Sequence, residues 1–164
     1  MLKQFVSGTA LVAAALGSSA AFAADDARSS IHITATIPTK QFHVLPRNPD
    51  FGKDEVMNYN PVTNTLSSLR QTYDVKNTDG SVHAYILGGQ PSLTNGSDAI
   101  PLTTMFNSVT LTEYPQEVVS DAASTPGTQA DMLILASTAP TDTQVGVYNA
   151  DFTVIFDAVP RVTP

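Results

Sequence analysis

The sequence predicts an all-β protein, a sandwich or barrel of short strands. Three features carry that expectation. Short runs rich in Val, Ile, Thr, Tyr and Phe are separated by Gly, Pro, Asn and Asp, which is strand-and-turn punctuation. The 11 prolines fall mostly between those runs, where a residue without a backbone N–H does no harm to a ladder. Helical periodicity is nearly absent beyond Ala23.

The segment up to Ala23 reads as a secretory leader. Lys3 supplies the positive start, Ala10–Leu16 the apolar run, and Ala21-Phe22-Ala23 the small-residue cleavage site. Cleavage is expected between Ala23 and Ala24. The run is too short to span a bilayer, which takes roughly 20 apolar residues. What remains, about 140 residues, fits one domain with a core of its own. The chain has 0 cysteines and 0 tryptophans. An antibody-type domain built on Cys…Trp…Cys is therefore excluded, and stability must come from packing and backbone pairing.

The strands follow in order. Arg28–Lys40, RSSIHITATIPTK, alternates without a break, with Ile31, Ile33, Ala35 and Ile37 on one face and His32, Thr34 and Thr36 on the other. A weak run at Phe42–Leu45 precedes Pro46. Val56–Tyr59 stops at Asn60-Pro61, and Leu69–Lys76 stops at the turn Asn77-Thr78-Asp79-Gly80. Val82–Leu87 stops at Gly88-Gly89. Met105–Thr112, Met132–Ser137 and a long terminal run Gln144–Val159 complete the set. Asp121–Ala130, small, polar and interrupted by Pro126-Gly127, reads as a surface loop. In the terminal run Phe152, Val154, Phe156 and Ala158 share one face, which belongs inside a sandwich beside another strand.

Charge narrows the function. The net charge is −7, and loss of Lys3 with the leader takes it to −8. Phosphate backbones and anionic lipid headgroups repel such a chain, so no nucleic-acid or membrane-surface partner is expected. Chemistry is sparse. Three histidines, His32, His43 and His83, lie apart from one another, with no zinc-type spacing. No Gly-x-Ser-x-Gly occurs. Asn77–Ser81 resembles a calcium loop only until its register is tested, for the acidic positions would be Val75 and Ile86. Asn95-Gly96-Ser97 fits a glycosylation triplet. Asp25-Asp26 and Asp54-Glu55 read as solvated faces. No catalytic residue, metal site or cofactor is expected, and the protein is not read as an enzyme.

The Ile31–Ile37 alternation admits two readings. It is either an ordinary first strand in its own sheet or an arm that adds a strand to another molecule, its backbone giving affinity and its alternate side chains specificity. Seven residues span roughly 24 Å as a strand, enough to run the length of a sandwich.

The order and position of several segments add a resemblance. IHITATIP is similar to the alternating arm of the major pilins of colonization-factor-type fimbriae, the class 5 or alternate chaperone–usher pili. Val56-Met57-Asn58-Tyr59-Asn60-Pro61 is similar to the family's strand ending in Tyr-Ser-Pro. Thr72–Gly80 resembles a strand ending in a polar turn, and Val145–Pro160 resembles the final Gly-x-Tyr strand region. Within that family the cable-pilin type is the most similar. The chain departs from it at His32 and Asp25-Asp26, and Thr110–Gln129 aligns poorly.

The resemblance implies an incomplete immunoglobulin-like sandwich with an N-terminal donor-strand arm. Residues 1–23 would be the signal peptide, 24–38 the donor strand and 39–164 the pilin domain. Ile31, Ile33, Ala35 and Ile37 would fill a neighbour's groove flanked by Phe152, Val154 and Phe156. The implied partners are further copies of the chain, a periplasmic chaperone, an outer-membrane usher and a minor tip subunit, on a route through the periplasm to a surface fimbria that supports adhesion. The alternative from another class is a secreted carbohydrate-binding sandwich or a tip adhesin. It lacks support from exposed aromatic platforms or acidic calcium clusters.

Overall fold

The computed structural model describes residues 41–162. The leader, its cleavage point at Ala23 and Ala24, and the arm with Ile31, Ile33, Ala35 and Ile37 lie outside the described residues.

The described strands run β1 (Phe42–Pro46), β2 (Tyr59–Asn60), β3 (Thr65–Leu66), β4 (Leu69–Asn77), β5 (Gly80–Leu87), β6 (Ser92–Thr94), β7 (Ala99–Phe106), β8 (Val109–Thr110), β9 (Gln116–Val119), β10 (Thr128–Ala136) and β11 (Thr153–Pro160). A short helix, α1 (Asp121–Ser124), lies between β9 and β10. One sheet has the order β1-β4-β10-β7-β6, with β8 also on β7, and a second has the order β11-β5-β9. The pair β2–β3 forms a small hairpin apart from both. Among the described residues every strand pairing is antiparallel.

Period-two alternation builds the core from both sheets. Tyr73 and Val75 on β4, Leu102 and Phe106 on β7, and Ala130, Met132 and Ile134 on β10 are buried against Val82, Ala84 and Ile86 of β5. Consecutive strands β4 and β5 belong to different sheets, so the turn between them is a corner. The Asn77 amide fastens it by donating to Ser81 O at 2.7 Å, and its Oδ1 accepts from Asp79 N at 3.2 Å. Glycine is required at position 80. A Cβ there would overlap the Val159 carbonyl oxygen and lie 2.7 Å from Arg161 N.

Four expectations need correction. Val56–Tyr59 is not a strand; only Tyr59–Asn60 pairs, with Thr65–Leu66. Asn60 Oδ1 captures Val62 N at 2.9 Å and turns the chain. Met105–Thr112 is broken at Asn107 and Ser108, whose positive φ angles make a two-residue hairpin between β7 and β8. Pro101 conceals the first half of β7, since it sits just before pairing with β10 begins at Leu102. The terminal run is a strand only from Thr153. Upstream, Asn149 bridges to Thr94 of the other sheet, so the segment crosses between layers.

The fourth correction concerns Asp121–Ala130. It contains α1 and the start of β10, and Ser124 is fully buried with its hydroxyl donating to Gly80 O at 2.5 Å. Strand β9 is not announced by any pattern in the sequence.

Candidate functional site

The two sheets follow the immunoglobulin arrangement, in which four strands of one layer face C, F and G of the other. In that scheme β1, β4, β10 and β7 stand as A, B, E and D, while β5 and β11 stand as C and F. The position of G, on the far edge of β11, has no partner among the described residues. That edge is eight residues long, and its pairing with β5 is regular from Thr153–Leu87 to Pro160–Gly80.

A groove of about 1280 Å³ opens beside it. Val154 and Phe156 of β11, with Phe152 just before it, form one wall, and Tyr73, Leu102, Met132 and Ile134 of the other sheet form its floor. Segments 51–57 and 140–151 flank the mouth. Small-ligand pockets run to roughly 1,000 Å³, and this open groove, lined by both apolar and polar side chains, exceeds that size. Phe152, Val154 and Phe156 pack against the buried core and are themselves only partly buried, whereas Ala158, placed on the same face by the alternation, is exposed and does not line the groove.

Aromatic packing makes one end of the floor rigid. The Tyr73 ring centroid lies 5.4 Å from that of Phe106, 6.1 Å from Phe156 and 6.2 Å from Phe51. Phe106 meets Phe156 at 4.9 Å. Most of these contacts are edge to face, the arrangement ring quadrupoles favour. Burial, with a smaller contribution from Glu55, pushes the Tyr73 phenol up to about 12, so it stays neutral. Its hydroxyl reaches only Met132 Sδ, at 3.7 Å. Farther along, the Tyr148 hydroxyl is buried in the lining and has no hydrogen-bond partner among the described residues.

The outer end of β11 is pinned. Arg161 N donates to Asp79 O at 2.6 Å, and the Arg161 guanidinium makes two bonds of 2.6 Å to the Asp121 carboxylate on α1. The hydrogen bonds from Arg161 and Thr125 hold Asp121 well below the usual carboxylate range, at about 2.

The other candidate groups do not converge. Among the described residues no three His, Cys, Asp or Glu side chains gather to hold a metal ion, and no helix is long and apolar enough to cross a membrane. Asn95 serves its own turn, accepting from Ser97 N and Asp98 N. His32 and Asp25-Asp26 lie outside the described residues. Sequence reasoning missed the floor residues and Tyr148. The floor residues alternate like any core positions, and only the layer topology shows that nothing among the described residues covers them.

The described residues thus form an immunoglobulin-like sandwich with one strand edge unpaired and a groove beneath it. The chain matches the CS1 type fimbrial major subunit family over residues 27–157 and belongs to that family. It is a structural subunit that assembles with copies of itself into a cell-surface fimbria, and it is not an enzyme. The fold is similar to that of the CooA pilin subunit from enterotoxigenic Escherichia coli. The TM-score is 0.54 at 18% identity, covering 71% of this chain and 86% of that one. No curated protein matches.

Proposed function

We propose that the subunits join by donor-strand exchange. Ile31, Ile33, Ala35 and Ile37 of one mature subunit, which begins at Ala24, lie in the groove of the next as the seventh strand of its sandwich. The observation that carries this reading is the eight-residue edge of β11, unpaired among the described residues, beside a groove of about 1280 Å³. Residues 24–38 serve as the arm and 39–164 as the body that receives one. The strand runs antiparallel to β11, as G runs to F in an immunoglobulin sheet. Pro38, without an N–H, ends the ladder.

The same groove explains the route of export. A leader, residues 1–23, takes the chain to the periplasm. There the uncovered trough would associate at random. A periplasmic chaperone lends it a strand, an outer-membrane usher exchanges that strand for the arm of the next subunit, and a minor tip subunit begins the fibre. The finished fimbria supports adhesion.

Ile33→Asp tests the reading. It places a carboxylate without a partner in the groove, which costs several kcal/mol or forces protonation. Fibres are expected to vanish from electron micrographs of the cell surface, while the purified subunit keeps its β-type circular dichroism. An unfolded mutant subunit would instead make Ile31–Ile37 a strand of its own domain and overturn the proposal.

A further inference from the structure

An antiparallel sheet packed on one side and wet on the other alternates apolar residues inward with polar residues outward. Both sheets depart from that rule on their outer faces. In β5, Val82, Ala84 and Ile86 are buried, so Ser81, His83, Tyr85 and Leu87 face outward. Ile155 of β11 lies directly opposite Tyr85, and Thr153 directly opposite Leu87, which is 62% exposed. Tyr85, Leu87 and Ile155 make an apolar patch that is no part of the core.

The other sheet has a counterpart. Met132 and Ile134 of β10 and Thr104 and Phe106 of β7 are buried, so Leu133, Leu135, Thr103 and Met105 face outward. Leu133 lies directly opposite Met105, and Leu135 opposite Thr103. Met105, Leu133 and Leu135 also stand outside the core.

Charges of opposite sign accompany the two patches. On the first face His83 lies directly opposite both Asp157 and Glu117, so that face carries two carboxylates and no lysine or arginine. On the second, Arg70 stands directly opposite Leu133 and pairs with Asp131 at 2.8 Å. Arg47 pairs with Asp74 at 3.3 Å, and Lys76 adds a third cation opposite His43. Three cations thus stand against two carboxylates. Those three are most of the five lysines and arginines among the described residues, in a chain of net charge −7.

A copy of this chain repels another through any two acidic surfaces, and attraction needs unlike faces. The acidic face against itself sets carboxylates together. Front to back, apolar patch meets apolar patch and acidic face meets basic face. The two faces point to opposite sides of the sandwich, so the contact is heterologous and repeats without closing. The chain's assembly with copies of itself supplies the partner. We propose that in the fimbria the outer face of β11-β5-β9 of one copy packs on the outer face of β4-β10-β7 of another. This contact goes beyond the joining of subunits and does not depend on how the edge of β11 is filled. Repeated along a joined row of subunits it winds the row into a helix, so it sets the width of the fibre.

Charge reversal in full-length subunits assembled on cells tests the contact, with fibre width read from negatively stained micrographs. The Arg70–Asp131 pair is exposed, so its loss costs the subunit little. Asp157→Lys and Arg70→Glu are each expected to lose the parent width and give thinner, more open threads. The two reversals in one chain should restore it. Leu87→Ser leaves every ion pair in place and should give the same loss through the patch alone. Parent-width fibres from all three single variants overturn the contact, and so do threads that persist in the double reversal. Fibres absent from Asp157→Lys or Leu87→Ser, with the subunit folded by circular dichroism, overturn it as well, since the face would then serve joining itself. Parent-width fibres from Ile33→Asp would overturn donor-strand exchange and leave this contact standing.

Discussion

The three-stranded sheet has two edges, and they are built differently. β9 is four residues long, carries Glu117 outward, and slips in register between Val82 and His83, so that Val118 has no opposite residue. Shortness, charge and a bulge are the devices that keep a strand edge from pairing with strangers. β11 is twice as long and has no bulge; its one charged residue is Asp157, and apolar side chains lie under it. Its end is held by Gly80 and Arg161. One edge is protected by local chemistry, and the other is unpaired among the described residues. That contrast is the ground for proposing assembly at β11.

Supplying the absent strand in the same chain should have the largest effect. Ala24–Ile37 is deleted and a copy of Ser30–Pro38 is appended after Pro164 through a short linker, which returns it antiparallel to β11. Each isoleucine buried contributes about 1.5–3 kcal/mol, with no entropy lost to association. The expected product is a soluble monomer that cannot join fibres. It should melt about 10 °C or more above the same chain without the copy. A scrambled copy that breaks the alternation should give no gain. Equal melting temperatures for the true and scrambled copies would remove the distinction between the two edges.

The next effect separates the closed half of the core from the open half. Phe106 is 0% exposed and surrounded on all sides. Phe106→Ala should cost about 3–5 kcal/mol whether or not the strand is appended. Phe152 has the groove on one side, so Phe152→Ala should cost only about 1–2 kcal/mol in the subunit alone. Its cost should rise toward that of Phe106 once the strand covers it. Urea unfolding of the four variants measures both differences, and equal costs at Phe152 in both backgrounds would mean that the strand does not lie there.

A smaller effect is expected at the anchored end of the edge. Gly80→Ala forces the Val159 carbonyl to move, because the new Cβ would overlap its oxygen. Backbone shifts of this kind cost about 1–3 kcal/mol. Hydrogen exchange should quicken at Ala158 and Val159 before it quickens on β9.

Much of the fold was legible because a two-residue period is a strong signal. Leu69–Lys76 and Val82–Leu87 fall inside observed strands, and Met132–Ser137 overruns its strand by a single residue. The misses share a cause: alternation does not say where a chain changes direction. Asn107-Ser108 has no glycine to announce its positive φ values, and Gln144–Phe152 looks like the start of a strand although it crosses from one sheet to the other. Ser124 looks like loop serine, but the corner at Gly80 needs its hydroxyl. For the groove, Phe152, Val154 and Phe156 were visible as one apolar face. The floor was not, since Tyr73, Met132 and Ile134 alternate as Val75 and Val82 do, and sequence carries no mark of which layer lacks a cover.

The smallest expected effect concerns the ion pair that ties β11 to α1. The Arg161 and Asp121 side chains are both partly exposed, so water and salt screen the pair and its contribution is modest. The sign is nonetheless definite. Asp121 titrates near 3.8 when free and at about 2 in the fold, because Arg161 and Thr125 donate to its charged form. A depressed carboxylate stabilises the folded chain fully above its free value, and loses that contribution as pH falls from about 4 through about 2. Arg161→Gln removes the bidentate pair while leaving the backbone bond from residue 161 to Asp79 in place. The parent should therefore be more stable than the variant from pH 7 down to about pH 5, and the two should converge as pH approaches 2. Added salt should narrow the gap at neutral pH. Because the pair ties the end of β11 to α1, its loss should loosen that end of β11 and slow the capture of an added arm peptide. A gap that widens on acidification would mean that another group, and not Asp121, holds that end of the strand.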